Sequence, residues 1–175
     1  MEKLDARIRE IIRDIPDFPK EGVVFKDITT VLRDGELFSD IVTHLADRYR
    51  DEDVDRIVGI ESRGFIFGAA VAHELGIGLS LVRKPGKLPY DTAGVDYALE
   101  YGTDRVEIHT DAFDESHRVV VLDDLLATGG TCAATLELVD KLGAEVVEAG
   151  FVIELGFLSG REKLPEDKVY SITCY

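Results

Sequence analysis

Two adjacent carboxylates, Asp123 and Asp124, follow the apolar run Val119–Leu122 and precede Ala127-Thr128-Gly129-Gly130-Thr131. Three of the four apolar residues are β-branched, so the run reads as a buried strand with the acids at its end. Beyond the glycines, Leu136, Val139 and Leu142 recur at helical spacing, and Gly143 follows as a C-terminal cap. The order is strand, acidic pair, small-residue loop, helix start. Unpaired amides at a helix N-terminus attract an anion, and glycines let the main chain wrap a phosphate. A carboxylate pair beside such a loop can hold sugar hydroxyls or organise a magnesium ion. The combination reads as a cradle for a phosphorylated sugar. Three other readings compete. The acidic strand of a P-loop NTPase needs a G-x-x-x-x-G-K-[ST] loop, which this sequence lacks. The clustered acids of a receiver domain do not require Thr-Gly-Gly-Thr directly afterwards. A plain βα turn, with Thr131 as a helix cap, explains the residues without a ligand.

Other stretches offer complementary groups. A short strand, Arg56–Ile60, runs into Glu61-Ser62-Arg63-Gly64 and then a helix through Phe67, Ala70, Val71 and Leu75. That is again strand, polar turn and helix start, the geometry for a second anion. A further strand, Gly78–Val82, feeds Arg83-Lys84-Pro85-Gly86-Lys87, a basic cluster in a chain whose net charge is −15. Such a run is ordinarily a solvated loop. An acidic protein that takes an anionic ligand must concentrate cations locally, and this cluster does so. Glu100, taken alone, reads as an exposed strand residue. His44, His73, His109 and His117 share no ligand spacing, so no metal role follows. Cys132, in the first turn of the helix after the glycines, reads as packing, since no base lies nearby in sequence.

The remaining elements must hold these groups in register. Leu4, Ile8, Ile11, Ile12 and Ile15 form one apolar stripe, predicting a helix that Pro16 ends. An irregular stretch through Ile28 follows, and a second helix is expected from Gly35 to Arg50. Val95–Tyr101 and Arg105–His109 alternate at period two around Gly102-Thr103-Asp104, which predicts a β-hairpin projecting from the main sheet. The turn-rich run from Lys84 to Gly94 is a candidate mobile lid. Val146–Leu155 and Val169–Cys174 read as closing strands. Strands alternating with amphipathic helices imply a three-layer α/β fold, mainly parallel, with ligands at the strand C-terminal ends.

At 175 residues the chain fits one domain, residues 1–175, with a sizeable core. The acidic charge argues against nucleic acid as a partner, because a phosphate backbone requires a basic face. No stretch approaches the ~20 apolar residues of a membrane span. Two cysteines without metal spacing, and an N-terminus without a secretory apolar core, point to the cytoplasm.

The stretch Val-Val-Leu-Asp-Asp-Leu-Leu-Ala-Thr-Gly-Gly-Thr resembles the signature of type I phosphoribosyltransferases, in the form found in adenine phosphoribosyltransferases. Further matches run in family order: Pro-Asp-Phe-Pro with Gly-Val-Val-Phe-Lys-Asp-Ile, Gly-Ile-Glu-Ser-Arg-Gly-Phe, the Arg83–Lys87 loop, Leu-Glu-Tyr-Gly-Thr, and Gly-Phe-Leu-Ser-Gly-Arg. The resemblance implies a mainly parallel sheet flanked by helices, a flexible β-hairpin lid, and an N-terminal hood. The hood spans about residues 1–34 plus the C-terminal segment. It implies transfer of a 5-phosphoribosyl group from phosphoribosyl pyrophosphate to adenine, giving AMP and pyrophosphate, a purine-salvage reaction with Mg2+ held mainly through substrate oxygens and water. By the same resemblance, Arg63, Arg83, Lys84 and Lys87 meet pyrophosphate, with Arg63 and Lys87 assisting its departure. Asp123 and Asp124 orient the ribose, and Ala127, Thr128, Gly129, Gly130 and Thr131 anchor the 5′-phosphate. Val24, Phe25, Lys26 and Leu158 line the purine pocket, with core packing as the alternative role for Leu158. Glu100 handles the purine proton. A non-proline cis peptide near Glu61–Ser62 and a homodimer are also implied. A 6-oxopurine substrate is the nearest alternative, and a non-catalytic nucleotide-sensing regulator of the same fold is the next.

Overall fold

The computed structural model describes residues 2–98 and 102–175. Helix α1 (Glu2–Ile11) leads into an antiparallel ribbon of β1 (Arg13–Pro16) and β2 (Val24–Asp27), registered from Arg13 opposite Asp27 to Pro16 opposite Val24. The continuous apolar stripe predicts a longer first helix than is found. The helix stops at Ile11, and Ile15 and Pro16 instead pair with β2, because cross-strand hydrogen bonding outweighs one further helical turn. The ribbon's connection carries a cis Phe18–Pro19 bond, and the Asp17 carboxylate accepts from the Gly22 amide at 2.8 Å. A short α2 (Thr29–Arg33) precedes α3 (Gly35–Tyr49), which is capped where Asp34 accepts from the Leu37 amide at 2.9 Å.

The central sheet is built from β3 (Arg56–Ile60), β4 (Gly78–Val82), β7 (Arg118–Leu126), β8 (Glu145–Glu154) and β9 (Val169–Cys174). Its order is β4-β3-β7-β8-β9, with every neighbour parallel. Helix α4 (Gly64–Leu75) connects β3 to β4, and α5 (Gly130–Lys141) connects β7 to β8. After β3 the chain moves outward to one edge, and after β7 to the other. The crevice between the C-terminal ends of β3 and β7 is therefore the switch point where open parallel sheets bind ligands.

Both faces of β7 are buried, as a central parallel strand requires. Val120 and Leu122 pack with α1, α3 and α4 around Tyr49, Phe67 and Val71. Val119 and Val121 pack on the other side with Leu138 and Val139 of α5. Helices on both faces give three layers. The strand does not stop before the acids, as expected from sequence, but continues through Asp123 and Asp124 to Leu126. Pairing with Phe151, Ile153 and Glu154 of β8 carries it on.

The hairpin forms from β5 (Thr92–Ala98) and β6 (Thr103–His109). It starts earlier than the sequence pattern suggests, so the turn-rich connection ends before Thr92. Arg83 and Glu107 exchange two backbone hydrogen bonds of 2.8 Å, which hang the hairpin from the end of β4.

Candidate active site

The parallel register brings the turn after β3 and the loop after β7 to the same edge. Gly64 makes that approach possible: a Cβ there would lie 2.7 Å from the Leu122 carbonyl and 2.9 Å from an Asp123 oxygen. The start of α4 thus sits against the acidic pair. Arg63, directly before it, donates from Nε to Asp124 Oδ2 at 2.6 Å. Its guanidinium carbon also lies 5.5 Å from the centroid of the Phe25 ring on β2. One side chain therefore links the acidic strand to the N-terminal ribbon. The Glu61–Ser62 peptide in the same turn is cis, as the resemblance implies.

Successive strand residues face opposite sides, so the two acids have different surroundings. Asp124 is only 3% exposed and turns toward Arg63. Asp123 lines a cavity of roughly 90 Å3 together with the 127–131 loop. Burial first, and the neighbouring Asp124 charge second, hold the Asp123 carboxyl well above the usual carboxylate range. The folded state therefore keeps a proton that the unfolded chain releases at its ordinary pKa near 4. The resulting penalty grows as pH rises through that value and levels off only at the raised folded one. Asp123→Asn keeps an oxygen for the Asp124 amide, which now donates to Asp123 Oδ1 at 2.8 Å. We expect this variant to be more stable at neutral pH by on the order of 1–2 kcal/mol, with a flatter stability profile above pH 4, and slower in turnover. Thermal melts between pH 4 and 8 check the first expectation; an unchanged profile would contradict it.

The loop after β7 turns at Gly129, whose φ of +76° favours glycine. Helix α5 begins at the next residue, so its first amides face the cavity end of the loop. Gly129 also fits against another glycine. A Cβ on Gly129 would lie 2.2 Å from the Gly160 carbonyl, and a Cβ on Gly160 would lie 2.0 Å from the Ala127 carbonyl. Gly160 belongs to a short 3-10 turn held by Arg161, which donates to Glu154 at 3.0 and 2.6 Å and to the Val169 carbonyl at 2.8 Å. The Gly129–Gly160 clasp and the Arg161–Glu154 anchor were not anticipated from the sequence. The small residues around Ser159-Gly160 were the available signal. Cys132, buried in the first turn of α5, has a thiol pushed up by that burial, in line with a packing role.

The basic loop is more neutralised than its composition suggests. Arg83 donates to both Glu61 oxygens at 3.2 Å, and the Lys84 amide donates to Glu61 Oε2 at 2.9 Å. Burial raises the Glu61 pKa, but these donors outweigh it and hold the carboxyl below its usual range. The Lys84 ammonium donates to Asp104 and, at 2.8 Å, to the Tyr97 hydroxyl. Lys87 is exposed and makes no ion pair among the described residues. An incoming anion must therefore compete with, or rearrange, the Glu61 and Asp104 contacts.

On the ribbon side, Val24 is 47% exposed, and Phe25 packs edge-on against Phe18 at 5.3 Å. The Lys26 side chain points elsewhere: its ammonium donates to Asp14 at 2.7 Å and lies 4.0 Å from the Tyr175 ring centroid. Only the Lys26 main chain remains for ligand contact. Tyr175 accepts from the Gly156 amide at 2.9 Å, tying β2 to the turn that carries Leu158, which is 39% exposed. Glu100 lies outside the described residues.

Among the described residues, no group of three or more His, Cys, Asp or Glu could hold a metal, and no helix is long and apolar enough to cross a membrane. The pattern of the phosphoribosyl transferase domain matches residues 29–174. The adenine phosphoribosyltransferase of Syntrophotalea carbinolica is 61% identical over 94% of this chain and 96% of its own length. The crystal structure of the Thermoanaerobacter pseudethanolicus adenine phosphoribosyltransferase is 49% identical, with a TM-score of 0.93 over 97% of this chain and 99% of that one. That of the Saccharomyces cerevisiae enzyme, complexed with an imino-altritol bisphosphate and adenine, is 38% identical, with a TM-score of 0.90 over 99% of both. Signature loop, crevice and ribbon agree with these likenesses: the chain belongs to the adenine phosphoribosyltransferases.

Proposed function

We infer that the protein transfers the 5-phosphoribosyl group of phosphoribosyl pyrophosphate to adenine, releasing AMP and pyrophosphate. The observation that carries this is the Arg63 bridge, which joins a buried acid beside a phosphate-sized cavity to an aromatic ribbon. In this reading the 127–131 amides grip the 5′-phosphate, and Asp123 and Asp124 hold the ribose hydroxyls. Arg63, Arg83, Lys84 and Lys87 receive the pyrophosphate. The base stacks between the Val24–Phe25 side and Leu158 and is read by main-chain groups of the ribbon.

The reacting bond is the one between C1′ and the pyrophosphate oxygen. As it breaks, its electron pair leaves with pyrophosphate, and the ribose carries oxocarbenium-like charge. Cationic side chains at the leaving group stabilise the departing negative charge. Holding the ribose and phosphate ends fixes C1′ in line with the purine nitrogen that attacks it. Glu100 takes the proton that the imidazole ring sheds as the new bond forms.

The described residues offer an acidic pair rather than a closed metal cage. That donor set would suit Mg2+ held mainly by substrate oxygens and water, with no direct protein ligand. Bound there, the ion would neutralise charge on the leaving group. We propose further that residues 1–175 act as one unit, with about residues 1–34 and the C-terminal segment as a hood and the β5–β6 hairpin as a lid. A homodimer in the cytoplasm completes the proposal. The exposed apolar side chains of Ile66 and Tyr90, on α4 and beside the basic loop, support such a contact.

A pyrophosphate-release assay with magnesium and four competing bases tests the reading. Release is expected with adenine and at least ~100-fold less with hypoxanthine, guanine or xanthine, because a site built for one hydrogen-bonding edge rejects another strongly. Release with a 6-oxopurine but not with adenine would overturn the base assignment. Binding of nucleotide without any release would favour a regulator.

A further inference from the structure

We propose that Tyr97 is a positioning residue that couples the 5′-phosphate loop to the pyrophosphate side of the site. Its hydroxyl is the junction of the hairpin, the basic loop and the start of α5. It accepts from the Lys84 ammonium at 2.8 Å, lies 3.0 Å from Thr131 Oγ1 and 3.0 Å from Asp104 Oδ2, and can donate to either oxygen. The ring meanwhile packs on the loop itself: a Cβ on Gly130 would lie 3.2 Å from Tyr97 Cδ2. Asp104, one strand over on β6, also accepts directly from Lys84.

A hydroxyl has a single proton. With the loop empty, the Tyr97 proton has two acceptors, Thr131 and Asp104. A phosphate at the loop accepts a hydrogen bond from the Thr131 hydroxyl, which leaves the Thr131 oxygen to accept from Tyr97. The donors then run one way, from Lys84 through Tyr97 and Thr131 to the phosphate. Each bond in such a chain polarises the next and strengthens it. Lys84, which already donates to Tyr97 and Asp104, is held more firmly by the strengthened Tyr97 bond, and its remaining N–H group can meet the second anion. Filling one subsite orders the other, and linkage requires the effect to be reciprocal.

The inference rests on the functional reading above, and the test separates the two. Titration calorimetry measures the affinity of magnesium pyrophosphate with and without saturating AMP. For the unmodified protein, AMP is expected to tighten pyrophosphate about fivefold or more, the low end of typical coupling between linked sites. In Tyr97→Phe the ring contact with Gly130 survives but the relay does not, so the factor should fall below about twofold. Thr131→Val breaks the chain at its other end; it should weaken AMP and lose the same factor. It also decides the matter should Tyr97→Phe not fold. Coupling that persists in these variants, or is absent from the unmodified protein, overturns the inference and leaves the reading intact. Failure of the unmodified protein to bind either ligand overturns the reading, and the inference with it.

Discussion

Arg63→Ala should lower kcat/KM by about 10²–10³-fold, the usual consequence of removing one group that stabilises developing charge in a preorganised site. Its effect should exceed that of any other single cation at the site, because Arg63 has two duties. It is expected to meet the departing pyrophosphate, and in the resting site it pairs with Asp124 at 2.6 Å. The Asp124 side chain is 5% exposed, whereas that of Arg63 is 41% exposed. The alanine variant therefore strands a buried carboxylate. Breaking a fully buried pair costs about 3–5 kcal/mol; water around the half-exposed arginine reduces this to roughly 1–3 kcal/mol. A fall in melting temperature should accompany the kinetic loss. Asp124→Asn should lose comparable turnover. Glu100→Ala should lose less, because adenine once positioned needs little assistance to attack. Steady-state kinetics of the three variants test this order, and a larger loss for Glu100→Ala would refute it.

The second large effect is expected at Gly160, far from the signature loop in sequence. A methyl group there would meet the Ala127 carbonyl at 2.0 Å and the Gly129 amide nitrogen at 2.9 Å. Both neighbours are backbone, so neither can swing aside as a flexible side chain would. The 127–131 loop must move, and its amides lose the positions that suit a phosphate. A displacement near 1 Å in a positioning element costs about 10²-fold. Gly160→Ala should therefore raise the KM for phosphoribosyl pyrophosphate by roughly 10–100-fold and change that for adenine by less than about threefold. The split between the two constants is the measurement. Equal changes in both would indicate general loss of structure instead of a displaced phosphate loop.

Much of this site was legible from local pattern because its parts are contiguous. The Val119–Thr131 stretch carries its strand, acids and helix start within a few residues, as does Arg56–Gly64, and each keeps the order of parts that its pattern suggests. The boundaries drawn wrongly lie where distant pairing decides. Ile15 continues the periodicity of α1, yet it pairs with Phe25 on a strand that the stripe cannot anticipate. Likewise β7 runs through its acids because β8 continues beside it. Contacts such as Gly129 with Gly160, and Thr131 with Tyr97, join segments tens of residues apart. Glycine and tyrosine have many uses, so neither type announces such a partner. The charge pattern was only half informative. It located the basic loop, but not the Glu61 and Asp104 carboxylates that already occupy Arg83 and Lys84.

The Lys26 ammonium is spent on Asp14 and the Tyr175 ring. If the purine edge is read by amides and carbonyls of β2, then discrimination between bases is a property of chain path and not of residue type. Randomising position 26 should yield enzymes of varied robustness but one and the same preference. Retargeting this scaffold to another nucleobase would call for changing the length or curvature of the ribbon, a task for insertions and deletions.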